Sequence, residues 1–103
     1  MKPLIHFAHA NGVPSKVYQK LFDLLKDDYD IIYVPLLGPD KRYPIDNHWQ
    51  SLTNQVIDSI VRQAQGRPVI GLGHSLGAVL TFQAALKRPE LFSQVIMLDP
   101  PMI

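Results

Sequence analysis

Gly73-His74-Ser75-Leu76-Gly77 stands where an apolar run, Val69 to Leu72, passes directly into a helical pattern that continues from Leu76 to about Arg88. A serine at such a junction sits in a tight, strained turn. Glycines two residues before and two after it are required because side chains there would collide as the helix packs back on its strand, and the turn lifts the Ser75 hydroxyl into reach. Leu76 opens the helix, so its N–H has no intrahelical acceptor and can face a developing oxyanion. The stretch predicts a nucleophile, Ser75, supported by Gly73, His74 and Gly77, with Leu76 N–H as one oxyanion donor.

The same residues admit a second reading. Gly71, Gly73 and Gly77 follow a strand, and Asp99 closes the next one, which imitates a dinucleotide-binding fingerprint. The imitation is poor: Asp99 lies 28 positions beyond Gly71 (99 minus 71) and precedes Pro100-Pro101, whereas the fingerprint places its acid about 20 residues on. Ser75 has no role in that scheme.

Outward from the turn, strand and helix signals alternate. Leu4 to Ala8 is a short apolar run. Pro14 to about Lys26 puts Val17, Leu21, Leu24 and Leu25 at helical spacing, with Pro14 tolerated in a first turn. Ile31, Ile32, Val34 and Leu36 form a β-branched strand, and the polar, proline-bearing Gly38 to Asn47 reads as a loop. Trp49, Leu52, Val56, Ile60 and Ala64 share one helical face, ended by Gly66. Leu76 to Arg88 is apolar almost all round and reads as a buried helix stopped by Pro89; Val95 to Leu98 is a fourth strand. Apolar strands separated by helical crossovers imply an α/β protein with a mostly parallel sheet covered on both faces, a three-layer sandwich.

Composition narrows the function classes. The 103 residues suffice for one core and not for two domains. A net charge of +1 with 18% charged residues leaves no basic tract for nucleic acid or anionic lipid. The absence of cysteine removes disulfides, thiolate metal sites and cysteine nucleophiles. His6 and His9 interrupt the apolar N-terminus, which reads as a strand and not a signal peptide, and no run approaches the roughly 20 residues of a membrane span. The expectation is a soluble, cytoplasmic protein.

With these elements in place the chain resembles the α/β-hydrolase superfamily. The carriers are Gly73-His74-Ser75-Leu76-Gly77; His9-Ala10-Asn11-Gly12, which looks like the family's oxyanion loop with Ala10 where glycine is usual; and, more weakly, Arg88-Pro89-Glu90-Leu91-Phe92. The resemblance implies Ser75 as nucleophile and the Leu76 and Asn11 N–H groups as the oxyanion hole, on loops that adjacent strands bring to one topological switch point. It also implies that residues 1–103 are the N-terminal portion of one catalytic domain, the third to sixth strands of the family fold. The C-terminal half, and with it the catalytic histidine, would lie outside the sequence.

Serine needs a base, and the available histidines fit that role poorly. His6 reads as a core residue, His9 as an orienter of its loop, His48 as a helix cap, and His74 as pointing away from Ser75 into packing. Asp99 is a candidate acid with an ordinary turn role as its rival. Tyr43, Trp49 and Met102 could line an apolar acyl pocket or simply pack. The remaining carboxylates show no metal-ligand spacing, and no cofactor is implied. The expected activity is acyl transfer from a small apolar ester, thioester or amide to water. C–C bond hydrolysis or elimination on the same fold, or a non-catalytic binding module, are the alternatives.

Overall fold

Strand β1, Leu4–Ala8, has parallel partners on both sides: β2, Asp30–Tyr33, and β3, Val69–His74. Strand β4, Phe92–Leu98, adds in parallel to β3 and gives the order β2-β1-β3-β4. The computed structural model describes residues 1–38 and 49–101. Each crossover carries a helix, as parallel pairing demands: α1 at Gln19–Leu25, α2 at Gln50–Ala64 and α3 at Leu76–Lys87. The α/β class and the parallel sheet expected from the sequence are both present.

Alternation along β1 assigns the layers. Leu4 and Ala8 join Val56, Ile60, Leu80 and Ala84 on the side of α2 and α3, while Ile5 and Phe7 join Phe22 of α1 on the other. The expected inner face of α2 is buried at Leu52, Val56, Ile60 and Ala64. Gln65 and Gly66, both at positive φ, end that helix.

Several expectations need correction. The helix expected from Pro14 starts as a 3-10 turn at Ser15–Tyr18, and Val17 and Leu24 are exposed; Phe22, with Tyr18, Leu21 and Leu25 around it, supplies the buried contact. The shift of winding between the two helix types rotates the inner face away from the pattern read as one continuous helix. The second strand, expected to run through Leu36 and end near Gly38-Pro39, ends at Tyr33, because Pro35 has no N–H to continue a ladder whose last bond is Val34 N–H to Phe7 O. Helix α3 is buried on one side only: Phe82 and Leu86 face outward, as do Ile96, Met97 and Leu98 of β4. The expected Gly38–Asn47 loop falls, beyond Gly38, outside the described residues.

His6 is fully buried on the α2 side of β1. Its Nε2 is 2.8 Å from Ser59 Oγ, which Gln63 Nε2 also contacts, and its Nδ1 has no hydrogen-bond partner among the described residues. Burial pushes the imidazole pKa down to about 3 from its ordinary 6.5. The unfolded chain therefore takes up a proton near pH 6.5 that the folded chain refuses until about pH 3. This contribution leaves stability intact above pH 6.5 and removes it progressively on acidification, by roughly 2 to 3 kcal/mol between pH 7 and 4.5. Denaturant unfolding at those two pH values should show the loss, and His6→Leu should flatten the dependence. An equally steep profile in the variant would place the effect elsewhere.

Candidate active site

Ser75 has φ 54° and ψ −116°, backbone values that a residue with a Cβ rarely holds and that cost on the order of 1–3 kcal/mol. The turn is held from both sides. Ser75 N–H donates to Leu98 O on β4 at 3.0 Å, and Ser75 O accepts the N–H groups of Ala78 and Val79 at 3.0 and 3.3 Å. A Cβ on Gly73 would fall against the Gly77 carbonyl and 2.6 Å from Ala78 Cα; one on Gly77 would strike the Ala8 carbonyl group and lie 2.7 Å from His9 O. The two glycines thus serve different contacts. Gly73 lets α3 return over its own strand, and Gly77 lets the first turn of α3 press on the end of β1.

That second contact brings the 9–12 loop to the serine turn. The loop is set by His9, which is fully buried. Leu37 N–H donates to His9 Nε2 at 2.7 Å, so Nε2 is the acceptor nitrogen and the proton sits on Nδ1, 2.7 Å from Ala10 O. Burial holds the His9 pKa below its ordinary value, against the opposing effect of the Ala10 carbonyl. Ala10 O also receives Val13 N–H at 3.1 Å. A trans peptide points its N–H opposite its C=O, so fixing the Ala10 carbonyl fixes the Asn11 N–H in the reverse direction. Among the described residues, neither Asn11 N–H nor Leu76 N–H has a protein acceptor. Asn11 itself is exposed and Ser75 half-buried.

Both His9 ring nitrogens are bonded, to Ala10 O and Leu37 N–H, and leave none to serve Ser75. His74 turns to the α1 side, where Nδ1 lies 2.9 Å from Tyr18 Oη and its ring meets the Tyr18 ring edge-on. Asp99 follows β4 at φ 48°, exposed and without a hydrogen bond or ion pair to any described residue. Trp49, half-buried, packs against the core on the side of α2 and α3. His48, Tyr43 and Met102 lie outside the described residues. Gly71 sits under the Phe92 ring and Thr81 Cγ2, 2.7 Å from either for an added Cβ, so it is interior and cannot approach a pyrophosphate as the dinucleotide reading requires. No group of three or more metal-ligating side chains occurs among the described residues, and no described helix is long and apolar enough to cross a membrane.

Sequence reasoning missed the residues that brace the site. Ser15 Oγ donates to Val34 O at 2.6 Å, Gln55 bonds both Leu36 O and Gly38 N–H, and Tyr18 Oη accepts Ala10 N–H at 3.1 Å. Ser15 directly after a proline was a usable turn signal. Nothing in the linear pattern pairs Tyr18 with His74, 56 residues away.

The family model described as "Thioesterase domain" matches residues 2–97. The chain is 36% identical to the uncharacterized hydrolase YugF of Bacillus subtilis over 79% of its own length and 30% of YugF's. It is 24% identical to the type I acyl-CoA thioesterase mpaH' of Penicillium brevicompactum, over 89% of this chain and 25% of that one. A crystal structure of a predicted CIB-like hydrolase from Thermoplasma acidophilum superposes with a TM-score of 0.77 at 19% identity, over 95% of this chain and 51% of that one. The chain therefore spans about a quarter to a third of the length of these curated relatives.

Proposed function

Since the chain belongs to the thioesterase-domain family, and through it to the α/β-hydrolase superfamily, we propose that it carries the nucleophile and oxyanion hole of a serine hydrolase. Ser75 Oγ attacks an acyl carbonyl carbon, the Leu76 and Asn11 N–H groups stabilise the tetrahedral oxyanion, and the C–S or C–O bond breaks to release a thiol or alcohol. Water then hydrolyses the acyl-serine. The acyl-CoA thioesterase among the relatives favours thioesters, with small apolar esters as the wider class. The observation that carries this reading is the strained Ser75 at a strand-to-helix turn, pressed against a second loop whose donor is also unspent.

The proton acceptor for Ser75 is not among the described histidines: His6 is buried in the α2 layer, both His9 nitrogens are bonded, and His74 turns to Tyr18. With His48 read from the sequence as a helix cap, we assign it to a segment outside residues 1–103, together with a strand that would pair with the open edge of β4. Residues 1–103 alone should accordingly show almost no turnover. Rapid mixing of the whole protein with a chromogenic thioester and its oxygen-ester counterpart tests the reading. A burst of leaving group equal to the enzyme concentration, with acyl-serine trapped on acid quench, is expected. Turnover of a C–C or elimination substrate without any trapped acyl group would favour the lyase alternative, and neither result would favour a binding module.

A further inference from the structure

We propose that Tyr18 is a positioning residue that locks the 9–12 loop to the 73–77 turn through one hydroxyl. The inference rests on reading Ser75 as the nucleophile and Asn11 and Leu76 as oxyanion donors.

The ring is anchored first. It packs on Phe7 with centroids 4.5 Å apart and meets His74 edge-on at 5.8 Å, so the hydroxyl has little freedom of position. A phenol offers one proton and accepts through its lone pairs. Ala10 N–H donates to Tyr18 Oη at 3.1 Å, and the remaining bond joins Oη to His74 Nδ1 at 2.9 Å. With the oxygen already accepting from Ala10, its own proton is free for Nδ1. Among the described residues, no other side chain hydrogen-bonds to both segments.

Each end of this bridge acts one residue away from the proposed chemistry. At Ala10 it takes the N–H, which leaves Asn11 as the next donor, while His9 and Val13 hold the Ala10 carbonyl. Asn11 N–H is thus aimed by bonds at both ends of the preceding residue. At His74 the bridge holds the side chain adjoining the strained Ser75. Contact between Gly77 and the end of β1 sets how close the segments come; the carbonyl bonds set the Asn11 N–H direction within the loop, and the hydroxyl ties that loop to the 73–77 turn. Misplacing a reacting or stabilising group by about 1 Å can cost as much as 10²-fold in rate.

The test uses the whole protein, a small chromogenic ester and a fluorophosphonate probe. Tyr18→Phe keeps the ring and removes the bridge, and it should lower kcat by roughly ten- to a hundredfold with KM within about twofold, measured well below the variant's melting temperature. Packing alone would lower the melting temperature and leave kcat of the folded fraction unchanged. A second pair decides if Tyr18→Phe does not fold. His74→Asn puts a polar atom near the place of Nδ1 and should stand much closer to wild type in kcat than His74→Phe. Equal kcat for wild type and Tyr18→Phe, or for the two His74 variants, overturns the inference alone. A wild-type protein that the probe does not label overturns the nucleophile reading and this inference with it.

Discussion

Ser75→Ala in the whole protein should lower kcat by a factor on the order of 10⁶, the scale seen when a triad serine is removed, and leave substrate affinity nearly unchanged. The loss is that large because alanine keeps the fold and the oxyanion donors but has no atom to form the acyl bond. Stability should separate from activity at this position. Alanine still carries a Cβ at φ 54° and retains the strain, whereas Ser75→Gly is released from it and should raise stability by about 1–3 kcal/mol. A glycine variant that is inactive but melts higher is the expected sign that the serine is held in a costly conformation for a chemical purpose. If Ser75→Ala turns over ester at close to the wild-type rate in Michaelis–Menten assays, the hydroxyl is not the nucleophile.

Gly77→Ala should damage the fold more than any other single methyl group added to a described glycine. Its Cβ would meet only backbone, the Ala8 carbonyl group and His9 O, and no rotamer change can relieve that. Either α3 lifts from β1 or the end of β1 bends away, and both displace the Asn11 loop from Ser75. The cost should be at least ~3 kcal/mol, a large part of the 5–15 kcal/mol that holds a typical domain together. Gly66→Ala is the control. It has φ 89° with open space where the Cβ would go, so it should lose only the ~1–2 kcal/mol of a left-handed non-glycine residue. Thermal melts that rank the two equally would show that α3 and β1 can separate at little cost and that their close approach is not what requires glycine at position 77.

The serine turn was legible because the chemistry imposes a local rule: a strand must enter a helix through a residue flanked by glycines, and both ends of that rule lie within five residues. The parallel sheet was legible for a similar reason, since apolar runs alternating with helical spacing leave few alternatives. Failures came where a decision depended on a distant partner. Val17 and Leu24 matched a helical stripe, yet the 3-10 start at Ser15 turned them outward and Phe22 inward. The outward faces of α3 and β4 read as buried because their side chains are apolar, and apolarity alone does not say which neighbour covers them. Tyr18 carried no signal at all. Its place emerges only when the 3-10 turn at Ser15–Tyr18 folds against the ends of β1 and β3 and one hydroxyl comes within bonding distance of Ala10 and His74.

His9 shows how much of a residue's surroundings only the fold reveals. Its place beside Asn11 suggested an orienting role, but the mechanism lies in the bond from Leu37 N–H, which reaches across from the segment after β2 and settles the tautomer. That bond makes the imidazole a fixed donor to Ala10 O and leaves it no nitrogen for Ser75.

Ser75, as proposed, is an activated nucleophile beside a prepared oxyanion hole. Treating the whole protein with a fluorophosphonate and mapping the adduct by peptide mass spectrometry tests it most directly. One phosphonyl group per chain, on the peptide containing Ser75 and lost in Ser75→Ala, is the predicted result. Labelling of a different residue, or undiminished labelling of the alanine variant, would contradict it.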